Sequence, residues 1–115
     1  MIREKRINDK FIKSFLDLIV IAVLSRSPTH GYEVIAIVHR EFGILLSPGS
    51  LYPLIHSLEA REMIKSSLSG EGKIVYVVTP KGKQEFNRSL SLFKRAVNTI
   101  LSFLSRGSKE VVPDV

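Results

Sequence analysis

The chain is predicted to be mainly α with a small β element: three helices, a two-stranded hairpin and one long final helix. Three observations predict it. Apolar residues recur at helical spacing in three separate segments between Phe15 and Leu58. Between Ile64 and Val78 the period drops to two around the turn-rich Ser69-Gly70-Glu71-Gly72. From Phe86 to Leu104, apolar residues stand 4, 3, 4, 3 and 4 positions apart, a heptad seam over nearly three repeats.

The first helix is expected to begin near Asn8 or Asp9, both good N-caps. Phe15, Leu18, Ile19, Ala22 and Val23 form one apolar stripe, and Leu16, Val20, Ile21 and Leu24 fill other faces. A helix apolar nearly all round is a buried one. Ser25-Arg26-Ser27-Pro28 ends it. The second helix starts after Pro28 with Thr29 as cap. Its inner face is Ile35, Val38 and Phe42, supported by Val34 and Ile37. Gly31 at its opening allows close packing, Tyr32 fills core, and Gly43 closes the helix in the left-handed conformation.

After the short connection Ile44-Leu45-Leu46 comes Ser47 to Glu59, SPGSLYPLIHSLE. This third helix has two competing starts. A Ser47 cap puts Pro48 at the first helical position but leaves Pro53 in the interior, at a cost of about 3 kcal/mol. A Ser50 cap puts Pro53 in the first turn, where backbone donors lack partners anyway. The prolines favour the Ser50 cap. Leu51, Leu54, Ile55 and Leu58 then form the buried stripe, and Tyr52, His56 and Glu59 point away from it. A helix kept only for packing has no need of that second face.

Two short strands, 64–68 and 74–78, make the hairpin. Thr79-Pro80 restarts a helix, Thr as cap and Pro at the first helical position. Phe86, Leu90, Phe93, Val97, Ile100 and Leu104 form its seam, with Leu92, Ala96, Leu101 and Phe103 beside it. The three preceding helices are too small to cover a helix of about 40 Å. The expectation is one face packed at home and one against a second subunit. Residues 1–79 are thus expected to be one domain, 80–106 a dimerisation helix and 107–115 a flexible tail.

Three helices followed by a two-stranded wing make a winged helix-turn-helix, in which the later helix of the pair enters the major groove of DNA. Charge agrees. The net charge is +6 and is uneven: Met1–Lys13 holds five Lys/Arg against two acids, and Arg61–Lys83 five against two. This favours an anionic partner. Ser47, Ser50, Tyr52, Pro53, His56 and Ser57 are the candidate groove contacts, with Lys65 and Lys73 of the wing on backbone phosphate. Ser47 and Ser50 serve equally well as caps, and Tyr52 as a cover for the core. Arg3, Lys5 and Arg6 could form a basic arm. Glu59 would repel phosphate and is left out.

Cysteine is absent, and His30, His39 and His56 have no metal-ligand spacing, so no metal or other cofactor is expected. No nucleophile–base pair or phosphate loop can be assembled, which argues against an enzyme. The longest apolar run, Leu18–Leu24, is far short of the ~20 residues of a membrane span, and the chain reads as soluble and cytoplasmic.

Several ordered motifs resemble the PadR family of transcriptional regulators: Pro28-Thr29-His30-Gly31-Tyr32-Glu33, Ser47-Pro48-Gly49-Ser50-Leu51-Tyr52-Pro53-Leu54, Leu58-Glu59, and Tyr76-Val77-Val78-Thr79-Pro80-Lys81-Gly82. The resemblance runs from about Phe15 to Phe86. It implies a homodimeric winged-helix repressor with a C-terminal dimerisation helix, of the subgroup in which that helix is short and single. The chain departs from many relatives in having Glu62-Met63 where they place glycine, and in a wing with one lysine where they carry several arginines. The partners expected are double-stranded DNA and a second copy of the chain. No membrane is expected, and a small-molecule effector is left open. A protein–protein adaptor and a sequence-independent DNA coat are the alternatives.

Overall fold

The computed structural model describes residues 9–111. Asn8, Arg3, Lys5, Arg6 and residues 112–115 lie outside the described residues. The elements are α1 (Leu16–Arg26), α2 (Gly31–Phe42), α3 (Pro48–Ala60), β1 (Ile64–Leu68), β2 (Ile74–Val78) and α4 (Pro80–Val111). The two strands pair antiparallel, Ile64 opposite Val78 and Leu68 opposite Ile74. The expected winged helix-turn-helix is the architecture found.

The first helix is interrupted. Residues 9–13 are helical, and a turn at 14–15 precedes α1. There the Phe15 N–H donates to the Ile12 carbonyl at 3.0 Å, one residue short of helical register. The Ser14 hydroxyl donates to the Phe11 carbonyl, which the break frees, at 2.6 Å. α1 is buried on two faces. Val20, Ile21, Val23 and Leu24 enter the core, while Phe15, Leu18, Ile19 and Ala22 line a trough of about 280 Å³ against Phe86, Leu90 and Phe93 of α4. The Phe15 and Phe93 rings meet edge to face, centroids 4.6 Å apart.

His30, not Thr29, caps α2: its Nδ1 accepts from the Glu33 N–H at 3.2 Å. Thr29 is taken instead by the wing, its carbonyl accepting from the Tyr76 N–H at 2.9 Å. With the helix starting at Gly31, the inward phase is Gly31, Val34 and Val38, all buried. Tyr32 falls one step, about 100°, off that phase and is 67% exposed rather than in the core. Gly43 closes the helix at φ 69° as expected, its N–H donating to the His39 carbonyl at 2.8 Å. In the connection, Ile44 and Leu46 are buried and Leu45 between them is exposed.

The start of α3 also differs from expectation. Ser47 is the cap, Pro48 stands at the first helical position and Pro53 lies inside the helix. The Ser47 hydroxyl accepts from the Ser50 N–H at 3.2 Å and donates to the Ser50 hydroxyl at 3.2 Å. The one helical bond that Pro53 removes would have gone to the carbonyl of Gly49, an exposed residue with water at hand. The cost of an interior proline is small when the stranded acceptor is wet. Leu51, Ile55 and Leu58 are fully buried and Leu54 half-buried.

α3 ends in a Schellman turn. The Met63 N–H donates to the Leu58 carbonyl at 3.0 Å and the Glu62 N–H to the Glu59 carbonyl at 2.9 Å. Glu62 occupies the left-handed position, φ 60°, where glycine is usual. The hairpin base is then tied to α4 by Thr79. Its hydroxyl donates toward the Glu62 carbonyl (2.7 Å) and the Met63 carbonyl (3.1 Å) and accepts from the Gly82 N–H (3.0 Å). Gly82 is buried so close to Met63 that an added Cβ would stand 2.9 Å from the Met63 carbonyl carbon and 2.9 Å from Val78 Cγ1. α4 continues to Val111, beyond the expected end at residue 106.

Two substitutions test this junction. Glu62→Gly relieves a left-handed side chain and is expected to raise stability by about 1 kcal/mol, several degrees in Tm for a chain this size. Gly82→Ala forces a methyl into backbone and is expected to lower it by about 2 kcal/mol despite alanine's helix propensity. Thermal melts followed by circular dichroism read both.

Candidate nucleic-acid interface

The surface singled out in sequence is the outer side of α3 and the hairpin beside it. Because Leu51, Ile55 and Leu58 set the inward phase, Pro53, His56 and Ser57 are exposed, as are Ser47 and Ser50 at the helix start. The first turn of α3 carries no acidic residue, so nothing there offsets the positive end of the helix dipole. The cap narrows what that end offers. Pro48 has no N–H and the Ser50 N–H is taken by Ser47. Anion binding there falls to the Gly49 N–H and the two serine hydroxyls.

Tyr52 is placed differently from the rest. It is half-buried and packed against the core rather than pointing clear of it. Its ring lies over Gly31 at the start of α2: a Cβ added to Gly31 would stand 2.7 Å from Tyr52 Cζ. Burial pushes the Tyr76 hydroxyl above its ordinary pKa, and the charges of neighbouring Tyr52 and Glu59 push the same way. The start of α2 thus meets Tyr52 of α3 at Gly31 and Tyr76 of β2 at Thr29. The sequence implies close packing at Gly31 but does not show against what. The partner, Tyr52, lies 21 positions on and has no local signature.

Lys65 and Lys73 are exposed on the hairpin. The Ser69 hydroxyl holds the tip, accepting from the N–H groups of Glu71 (3.3 Å) and Lys73 (3.2 Å), and Gly72 takes φ 76°. Of Ile64, Ser66 and Leu68, only Ile64 reaches the core, and the rest of β1 is exposed. Leu68 and its partner Ile74 are 71% and 57% exposed.

The heptad seam of α4 divides. Phe86, Leu90 and Phe93 are half-buried along the trough with α1, and Val97 is half-buried. Ile100 and Leu104, with Leu101 and Phe103, are 55–66% exposed. Among the described residues no group of three His, Asp or Glu could hold a metal ion, and no helix is long and apolar enough to cross a membrane.

A profile of the Transcriptional regulator PadR-like family matches residues 20–88, well over half of the chain. The chain belongs to this family. PadR-like proteins are transcriptional regulators rather than enzymes, and the matched segment runs from the core of α1 through the wing into α4. A transcriptional regulator from Clostridium thermocellum shares the fold, with TM-score 0.72 at 20% identity, covering 82% of this chain and 97% of that one. A winged-helix DNA-binding protein from STIV superposes with TM-score 0.62 at 29% identity, covering 75% and 91%. A 37.1 kDa protein in transposon TN4556 of Streptomyces fradiae is 27% identical over 97 residues. That match takes in 84% of this PadR-like chain but only 26% of the relative, so the chain spans about a quarter of its length.

Tyr76 carries a pH prediction. A folded-state pKa above the unfolded value of 10.0 means that the protonated form stabilises the fold, and that this contribution is lost as pH rises past the folded pKa. Melting temperature is expected to fall above about pH 10, and Tyr76→Phe to reduce that fall.

Proposed function

We propose that this PadR-like protein is a sequence-specific repressor that binds double-stranded DNA as a homodimer, with α3 in the major groove and the wing on the adjoining backbone. The observation that carries it is the outer side of α3. A helix whose inner stripe is fully buried leaves Ser47, Ser50, Pro53, His56 and Ser57 exposed, with Tyr52 at their edge and no acid in the first turn. Polar groups that can reach base edges, at the positive end of a helix, suit a groove lined with acceptors and phosphates. Ser47, Ser50 and Tyr52 would contact phosphate, and His56 and Ser57 base edges. Pro53 would meet a thymine methyl, while Lys65 and Lys73 would neutralise backbone phosphate.

The homodimer is supported by the distal half of α4. Ile100, Leu101, Phe103 and Leu104 are each more than half exposed, on a helix that gives the molecule a long dimension of 65 Å. Such an apolar strip on a small chain marks a partner surface. Twofold symmetry then implies a roughly palindromic operator with half-sites about 10 bp apart or a multiple of that.

Selection of bound duplexes from a random pool at physiological salt tests the proposal, and an enriched palindrome is the expected result. Enrichment of nothing despite tight binding at low salt would leave a DNA coat, and no binding at all an adaptor. On the selected duplex, Tyr52→Phe keeps the ring and is expected to weaken binding by roughly three- to tenfold. Lys73→Ala should weaken binding to all sequences alike and reduce the slope of log affinity against log salt by about 1. Ile100→Glu with Leu104→Glu is expected to give a monomer on a sizing column with light scattering and to abolish tight operator binding.

A further inference from the structure

We infer that Gly31 is a positioning residue for DNA recognition: the bare backbone at the start of α2 is the seat on which the Tyr52 ring lies, and it fixes where the Tyr52 hydroxyl is presented. The inference rests on the proposed function and names what holds one of its contact residues.

Local physics does not ask for glycine at this position. Its φ is not positive, unlike those of Gly43 and Gly72. It is the first residue of a 12-residue helix, where alanine would be favoured by up to about 1 kcal/mol. The reason for glycine lies across the fold. A Cβ here would stand 2.7 Å from Tyr52 Cζ and 3.1 Å from Cε1, and nearer still to the hydroxyl oxygen. All three atoms belong to the far end of a side chain that turns about two torsions. An added methyl would therefore swing the tyrosine aside rather than break the backbone. Gly82 is the opposite case, since there the obstacle is the Met63 backbone.

The seat is also tied to the wing. The Thr29 carbonyl, two residues before Gly31, accepts from the Tyr76 N–H of β2 at 2.9 Å. Tyr76 belongs to the buried core against which Tyr52 packs. The start of α2 thus carries both the Tyr52 ring and the backbone bond to the wing strand.

The test is a double-mutant cycle of Gly31→Ala and Tyr52→Ala, read as affinity for a selected duplex and for a scrambled one, with melts on the same samples. Gly31→Ala is expected to weaken selected-duplex binding by about tenfold, to change scrambled-duplex binding by less than about threefold, and to leave the melt close to that of the parent protein. In the Tyr52→Ala background the same change should have no further effect on either duplex. Equal losses in both backgrounds, or selected-duplex affinity unchanged by Gly31→Ala, would overturn the inference while leaving the regulator reading intact. No preference for any duplex by the unsubstituted protein would overturn both. If Gly31→Ala alone does not fold, the double variant should recover the melt of Tyr52→Ala, because the clash has gone. Failure to recover would also sink the assignment.

Discussion

The hydroxyl of Thr79 joins three parts of the molecule that would otherwise be separate. It donates toward the carbonyls of Glu62 and Met63, in the turn between α3 and β1, and accepts from the Gly82 N–H in the first turn of α4. The Thr79 N–H adds a bond to the Met63 carbonyl at 3.0 Å. One residue therefore caps the start of α4 and ties it to the turn after α3 at the base of the hairpin. Gly82 makes this possible, because only a residue without a side chain lets α4 start in contact with the Met63 backbone. The wing, α3 and the long helix keep their mutual angles through this junction. A surface composed of α3 and the wing can be specific only if the angle between them is fixed.

The same economy appears at the other end of α3. Ser47 closes the helix start, Ile44 and Leu46 anchor the approach, and Tyr52 leans on α2. Apolar residues on one side hold the helix and polar residues on the other remain free. Few of those polar residues are held by bonds to one another. The hydroxyls of Ser47 and Ser50 are linked, while Pro53, His56 and Ser57 stand in water. In the proposed complex such a surface would keep its hydrogen-bonding capacity for the partner.

Much of this was legible in the sequence. The change of apolar period from helical to alternating and back located every major element, because burial on one side of a helix or strand leaves that trace directly. The stripe Leu51, Ile55 and Leu58 and the Thr79-Pro80 start were read correctly for the same reason. Failures came where two nearby residues could do one job. Thr29 and His30 both cap helices, and the choice fell to His30 because β2 claims the Thr29 carbonyl. Ser47 and Ser50 both cap, and Ser47 won because the carbonyl orphaned by Pro53 lies in solvent. Tyr32 lies outside the core because Val34 and Val38, rather than Ile35 and Phe42, set the inward phase of α2. Tyr52 against Gly31 was illegible, since a contact between two helices leaves no local period. The heptad seam was visible but its division was not, because spacing says which residues share a side, and not how far along the helix the rest of the chain reaches.

That division gives α4 a mechanical character. It is 32 residues without a break, a rod of about 48 Å, gripped at one end by the junction and the aromatic trough and free at the other. A gripped rod is a lever. A tilt of about 5° at the grip moves the far end by roughly 4 Å, more than the ~3.4 Å rise of one base step. In the proposed dimer the far ends would be clasped, so the motion would reappear as a change in distance between the two α3 helices. The volume of the side chains around Phe15 and Phe93 would then act as a fine adjustment of operator spacing, at a distance from any residue that touches DNA.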